Sequence, residues 1–339
     1  MNTRLLTALA ASILAAGTLA ACGSGSDEED GPFITVYNAQ HKPLLEEMAP
    51  IFEEETGIEV RLRNGKDFEL GNQLVAEGEG SPADVFLTEN SPAMSLVEQE
   101  GLFAPLDEET LALIPEQNRP ASGMWTGWAA RSTVLMYNTE DITPEELPTS
   151  ILELAEPQWK GRVSFSPTGA DFQAIVSAVL QLEGEDATRA WLEGLAENGE
   201  VYEGNNIVMQ SVNDGEVETG IAYHYYWYRD QKESGENSDS TELYFFGAQD
   251  PGAFVSISGA GVLKSSDKRE DAQKFVRFLA DKTGQQALAD SYALEYPLDG
   301  ETPLDPAVKP FSELQPPTVD VTELNGPLVI EMMQDVGLL

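Results

Sequence analysis

The sequence predicts an α/β fold of two lobes with a cleft between them. Three observations predict it. Strand-like and helix-like patterns alternate from Phe33 onward, and the alternation starts afresh near Arg162. The chain has 339 residues, 41% of them hydrophobic, which suits about two domains with real cores. No repeat of about 20–50 residues is present, so a solenoid is excluded.

The elements follow in order. Residues 33–37 form a short β-rich run. Pro43 then opens a helix with Leu44, Leu45, Met48, Ile51 and Phe52 on one face, stopped by Gly57. Residues 58–63 alternate like a half-buried strand, and a helix follows over about 68–79. Residues 83–88 are the next strand, and Ser91-Pro92 starts a helix ending before Gly101. In the second stretch, 162–166 and 218–223 read as strands, and 170–182, 187–198 and 225–234 as helices. Further strands are expected at 243–246 and 254–257. Residues 268–280 form an amphipathic helix with Ala272, Phe275, Val276 and Leu279 inward. This order implies mostly parallel sheets with helices on both faces. Ligand clefts in such folds lie beyond the carboxyl ends of strands, so chemistry is sought there.

Charge and cysteine usage narrow the function. Lys+Arg number 19 against 59 Asp+Glu, a net charge of −40. A surface so acidic repels phosphate backbones, so no nucleic-acid partner is expected. The lone cysteine excludes a disulfide scaffold. Residues 1–21 read as an export signal, with Arg4 before an apolar stretch over 5–19. Leu19-Ala20-Ala21-Cys22 resembles the lipobox of bacterial lipoproteins, in which the cysteine carries the lipid. An ordinary signal peptide with a chance cysteine, or a retained anchor, remains an alternative. Small and acidic residues follow, so 22–31 read as a flexible tether. The expected location is the outer face of the cytoplasmic membrane, held by lipid alone.

Histidine is scarce, with only His41 and His224. His41 stands at a strand-to-helix turn, and Glu89 directly follows a strand. The run Tyr223-His224-Tyr225-Tyr226-Trp227-Tyr228 is the sharpest local signal. Core packing is one account of it, but four phenols need four buried partners. A hard trivalent cation is the other account, because a bound cation lets a phenol act as phenolate near neutral pH. Tyr225 and Tyr226 reach one ion together only at a bend or helix start. Ser166-Pro167-Thr168-Gly169-Ala170 links a strand to a helix and suits a small anion, or is an ordinary cap. No phosphate-binding GxxxxGK[ST] loop, GxSxG or HExxH motif occurs.

These pieces in this order resemble the periplasmic ferric-ion-binding proteins of iron ABC importers, over essentially the whole chain after the leader. The resemblance runs through Ile34-Thr-Val-Tyr-Asn-Ala-Gln-His41, Pro82-Ala-Asp-Val-Phe-Leu-Thr-Glu89 and Trp159-Lys-Gly161. It continues through Tyr225-Tyr-Trp-Tyr228, Gln249-Asp-Pro-Gly-Ala253, Ala272-Gln-Lys-Phe-Val276 and Glu295-Tyr-Pro-Leu298. It implies a two-lobed periplasmic-binding-protein fold. Lobe 1 is then 32–131 with about 257–307, and lobe 2 is 132–256 with about 308–339. It implies a monomeric carrier, not an enzyme, that binds Fe(3+) and serves an ABC permease. The implied metal ligands are His41, Glu89, Tyr225 and Tyr226. The implied synergistic anion is phosphate or carbonate, held by Thr168, Gly169, Ala170 and Asn205, with Arg131 adding a cation.

The chain departs from the family where two Asn precede the paired tyrosines in some relatives. Tyr223 and His224 stand there instead. Tyr223 is expected to replace the anion contact with its hydroxyl, and His224 either to support a ligand from behind or, as the favoured reading, to lie at the surface. Two other readings compete. One is an anion or organophosphorus receptor of the same fold that binds no metal. The other is a ferric dioxygenase using His41, His224, Tyr225 and Tyr226. The helix–strand alternation speaks against the second, because those enzymes are rich in β structure.

Overall fold

The computed structural model describes residues 31–247 and 249–339. The expected leader 1–21, Cys22 and the tether up to residue 30 lie outside the described residues. The first stretch forms as the patterns require: β1 (Phe33–Asn38), α1 (Lys42–Thr56), β2 (Glu59–Asn64), α2 (Asp67–Glu77), β3 (Val85–Leu87) and α3 (Ser91–Gln99), followed by a short helix that was not expected, α4 (Glu108–Leu111). Pro43 lies in the first turn of α1, where its missing N–H costs nothing. Gly57 ends the helix in the left-handed region at φ 72°.

A strand with no alternating signal comes next, β4 (Thr126–Asn138), whose thirteen residues are all buried. It was not expected from the sequence. A strand covered on both faces has no reason to alternate, so its period is silent. The second stretch gives β5 (Val163–Phe165), α5 (Ala170–Glu183), α6 (Glu185–Asn198), β6 (Glu200–Val201), α7 (Asn205–Asn213), β7 (Thr219–Tyr223), α8 (His224–Glu233) and β8 (Thr241–Tyr244). The chain closes with β9 (Val255–Val262), α9 (Arg269–Ala280), α10 (Lys282–Asp290), β10 (Tyr296–Pro297) and α11 (Gly326–Asp335).

The strand order is β2-β1-β3-β9-β4-β7-β5-β6, with β8 and β10 also paired to β4. The expected parallel pairs occupy the two ends: β1 with β2 and β3, and β5 with β6 and β7. The centre is antiparallel, so the sheet is mixed. The reason is β4. Its first half, Thr126 to Ser132, pairs with β9, and its second half, Thr133 to Tyr137, pairs with β7. One long strand thus belongs to both ends of the sheet.

Side chains alternate across this sheet into separate cores. Ile34 and Val36 meet Leu44, Met48, Phe52, Phe275 and Leu279 on one face. Tyr37 and Phe86 meet Leu70, Leu74 and Met94 on the other. Leu135 and Tyr137 pack with Phe165, Phe172 and Trp191, whereas Val134 and Met136 pack with Met209 and Ala222. Each fully buried large apolar side chain contributes about 1.5–3 kcal/mol. Val308 and Val321 join the cluster of Tyr37, and Val329, Met332 and Met333 of α11 join that of Phe172. Among the described residues no helix is long and apolar enough to cross a membrane.

One close approach is testable. Only Asp281 separates α9 from α10, and its carboxylate caps α10 by accepting from Thr283 N and Gly284 N. The turn presses Gly284 onto α9: a Cβ there would lie 1.9 Å from the Phe278 carbonyl oxygen. Gly284→Ala is therefore expected to lower the unfolding free energy by about 1–3 kcal/mol. An unchanged denaturant midpoint would show that the two helices part freely.

Candidate metal centre

The sequence positions the four candidate donors at element ends. His41 closes the turn after β1 and precedes α1, where its carbonyl accepts the first helical bonds from Leu44 and Leu45. Glu89 follows β3. Its loop is pinned by Asp67 at the start of α2, whose carboxylate accepts from Glu89 N at 2.9 Å and Asn90 N at 3.0 Å. Tyr225 and Tyr226 lie in the first turn of α8, directly after β7. That helix start answers the requirement that adjacent residues aim at one place. Their rings stack with centroids 4.2 Å apart.

His41, Glu89 and Tyr225 converge on one atom. Tyr225 Oη donates to Glu89 Oε1 at 3.2 Å, and His41 Nε2 lies 3.4 Å from the same oxygen. The His41 and Tyr225 rings meet edge to face at 5.4 Å. Tyr226 Oη donates at 3.1 Å to Asp171 Oδ2, in the first turn of α5. The His41 and Glu89 side chains keep 22% and 16% of their exposure, but the His41 Nε2 atom itself is buried. Among the described residues no three His, Cys, Asp or Glu form a metal-holding group by themselves.

Electrostatics follow burial. Burial pushes the Tyr225 and Tyr226 phenols well above their usual range, and the Asp171 charge adds to it. Burial raises the Glu89 carboxyl. The Asp171 carboxyl is pushed up to about 7 by burial and then by the neighbouring Glu89 charge. Burial lowers the His41 imidazole, which favours the neutral ring that a metal requires.

The expected anion contacts have partners within the chain. Thr168 is exposed, and Gly169 and Ala170 open α5 as foreseen. Asn205 Nδ2 donates to Asp171 Oδ2 at 2.8 Å. Tyr223 Oη donates to Asn90 Oδ1 at 3.2 Å and to the Asp171 carbonyl at 3.3 Å. Arg131 is fully buried, pairs through Nη2 with Glu295 Oε2 at 2.5 Å, and donates through Nη1 to the Glu89 carbonyl. The negative charge beside the α5 N-terminus is thus Asp171 itself, where the helix favours an anion.

His224 corrects an expectation. It is not a surface residue: it is fully buried, stacked on Tyr296 at 4.4 Å. Its Nδ1 accepts from Ser132 N, and its Nε2 lies 3.1 Å from the Leu294 carbonyl. Burial lowers its imidazole to about 3, so it is a neutral brace between β4 and the start of β10. Both ring nitrogens are engaged within the chain.

Sequence reading missed Asp171, Asp67 and Asn90. Asp171 and Asp67 are ordinary first-turn acids in a chain full of acids, so nothing local set them apart. Asn90 gained its role only through contacts: its Nδ2 reaches Asp171 Oδ1 at 3.3 Å, and its Oδ1 accepts from Ser256 Oγ at 2.7 Å.

A mixed α/β sheet shared by two sets of cores, with His41, Glu89, Tyr225 and Tyr226 gathered at element ends, defines a solute-binding protein of the periplasmic-binding-protein fold. The chain belongs to the family of bacterial extracellular solute-binding proteins, whose pattern matches residues 80–321. It is 49% identical over 339 residues, covering 100% of both chains, to the Fe(3+)-binding periplasmic protein of Serratia marcescens. It is 37% identical over 321 residues to the major ferric iron-binding protein of Neisseria meningitidis, covering 94% of this chain and 95% of that one. The structure of iron-bound HitA from Pseudomonas aeruginosa superposes with a TM-score of 0.85 at 41% identity, covering 90% of this chain and 99% of the other.

Proposed function

We propose that this protein captures Fe(3+) outside the cytoplasm and delivers it to an ABC permease, as a monomeric carrier. The observation that carries the reading is the pair of stacked phenols whose hydroxyls meet Glu89 and Asp171, with His41 beside Glu89. Two phenolates and the Glu89 carboxylate balance a trivalent charge, and the neutral imidazole of His41 adds a fourth donor. The names and iron of the relatives support the same cargo.

Capture would close two lobes whose division falls within β4 and β9. Val308 and Val321 pack with the first lobe's core, which favours a final crossing near residue 322 over one at 308. His41 and Glu89 come from the first lobe and the tyrosines from the second, so bonds to the ion form only on closure. For the anion, the geometry favours Asp171 standing where phosphate or carbonate was expected, because Asn205 and Tyr226 already donate to it.

The test is a visible spectrum during Fe(3+) addition, with and without phosphate or carbonate. A phenolate-to-iron charge-transfer band is expected, and it should form without added anion. A band that needs phosphate or carbonate would restore the exogenous anion, and no band at all would remove the ferric reading. Acidification should bleach the band. The burial-raised phenols are protonated until an ion displaces their protons, so affinity rises with pH and falls as pH drops. Cys22 would carry the lipid that tethers the carrier. Cys22→Ser should leave the precursor unprocessed or the protein shed to the medium, and a wild-type membrane fraction would sink the lipid anchor.

A further inference from the structure

A buried acid close to the metal centre has no task in the reading above. Glu295 is fully buried. It is reached through Leu294, whose φ of 55° lies in the left-handed region that bulky side chains rarely adopt. Its Oε2 pairs with Arg131 Nη2 at 2.5 Å and accepts from Gln40 Nε2 at 3.2 Å. Its Oε1 is different. Among the described residues it has no hydrogen-bond partner, and it lies 3.7 Å from His41 Nε2, which has none either. The same His41 nitrogen is 3.4 Å from Glu89 Oε1.

A buried carboxylate oxygen without a partner carries an uncompensated desolvation cost. The outlier at Leu294 adds backbone strain in placing the group. Both costs are explained if the oxygen faces something absent from the chain's own hydrogen bonds. Neighbouring donors on an octahedral ion with bonds of about 2.1 Å stand about 3 Å apart. The separations of 3.4 and 3.7 Å around His41 Nε2 exceed that by less than about 1 Å.

We propose that Glu295 supplies, through Oε1, a third carboxylate oxygen to the cation site, and that this added charge biases the site toward trivalent ions. The proposal rests on the ferric reading of the same site. The charges point the same way. Glu89, Asp67, Asp171, Glu295 and two phenolates outnumber the two cations nearby, Arg131 and Arg229, the latter 5.9 Å above the Tyr225 ring. A trivalent ion offsets more of that buried negative charge than a divalent one.

The experiment compares the full chain with Glu295→Gln and Glu295→Asp. Glutamine keeps the shape and an acceptor for Arg131 but removes the charge. Aspartate keeps the charge near Arg131 but withdraws the oxygen by one methylene. Fe(3+) affinity, the position of the charge-transfer band, and competition by Zn(2+) are measured on each. Both variants are expected to bind Fe(3+) about 10–100-fold more weakly. The band should shift in both, and Glu295→Gln should lose Fe(3+) preference over Zn(2+) by a similar factor. A merely structural role would alter the melting temperature and leave band and preference alone. A folded variant that binds Fe(3+) within about twofold of wild type, with an unshifted band, overturns the proposal by the same scale. If circular dichroism shows that Glu295→Gln does not fold, Glu295→Asp decides by the same criteria. If wild type develops no band, the ferric reading fails and this proposal falls with it. A coloured wild type with unaffected variants sinks this proposal alone.

Discussion

Tyr225→Phe and Tyr226→Phe are each expected to weaken Fe(3+) binding by more than about a hundredfold. Groups that merely orient metal ligands already cost about 10–100-fold when removed, and each phenol is proposed to act directly. Phenylalanine keeps the ring, its stacking and its burial, so the fold should tolerate the change. What is lost is an anionic oxygen. No neighbour replaces it, because Glu89 and Asp171 already face the phenols as their hydrogen-bond acceptors. The two variants should differ in detail. Tyr225→Phe frees Glu89 Oε1 of its donor, whereas Tyr226→Phe leaves Asp171 held by Asn205. The charge-transfer band should weaken and shift in each and vanish in the double variant. A titration showing unchanged colour and affinity in both single variants would remove the tyrosines from the site.

The second large effect concerns the pair beneath it. Arg131→Met should destabilise the protein by about 3–5 kcal/mol, because it strands the Glu295 charge in a fully buried place. Surface pairs such as Lys160 with Glu197 should contribute about 1 kcal/mol or less by comparison. The variant also loses the donor to the Glu89 carbonyl, so it loosens the loop after β3 as well as a core charge. Arg131→Met combined with Glu295→Met should recover much of the stability, since a buried pair replaced by apolar groups of similar size is often tolerated. Denaturant unfolding of the three variants checks this. If the single and double variants are equally unstable, the cost is loss of packing and not a stranded charge.

Sequence pattern alone determined much of the order of elements, though not α4, β4, α7, α10 or α11, and the placement of the four proposed donors after β1, after β3 and at the start of α8. Turn residues and amphipathic faces are local, and Pro43, Gly57 and the inward face of α9 act within a few residues. The run from Tyr223 to Tyr228 was conspicuous because phenols in series are expensive to bury without partners. Only the tertiary structure decided the rest. β4 carries no alternating signal because both its faces are covered, yet it is the strand shared by both ends of the sheet. Arg131 was assigned to an anion from its position, but it meets Glu295 across a separation of 164 residues, a pairing no local pattern encodes. His224 looked like a surface residue because its burial depends on Tyr296 and the Leu294 carbonyl, far along the chain. Asp171 is one acid among many in a chain of net charge −40, and its neighbours alone single it out. The physical reason is common to all four. Periodicity and capping are set by neighbours in sequence, whereas burial, charge pairing and the aim of a side chain are set by neighbours in space.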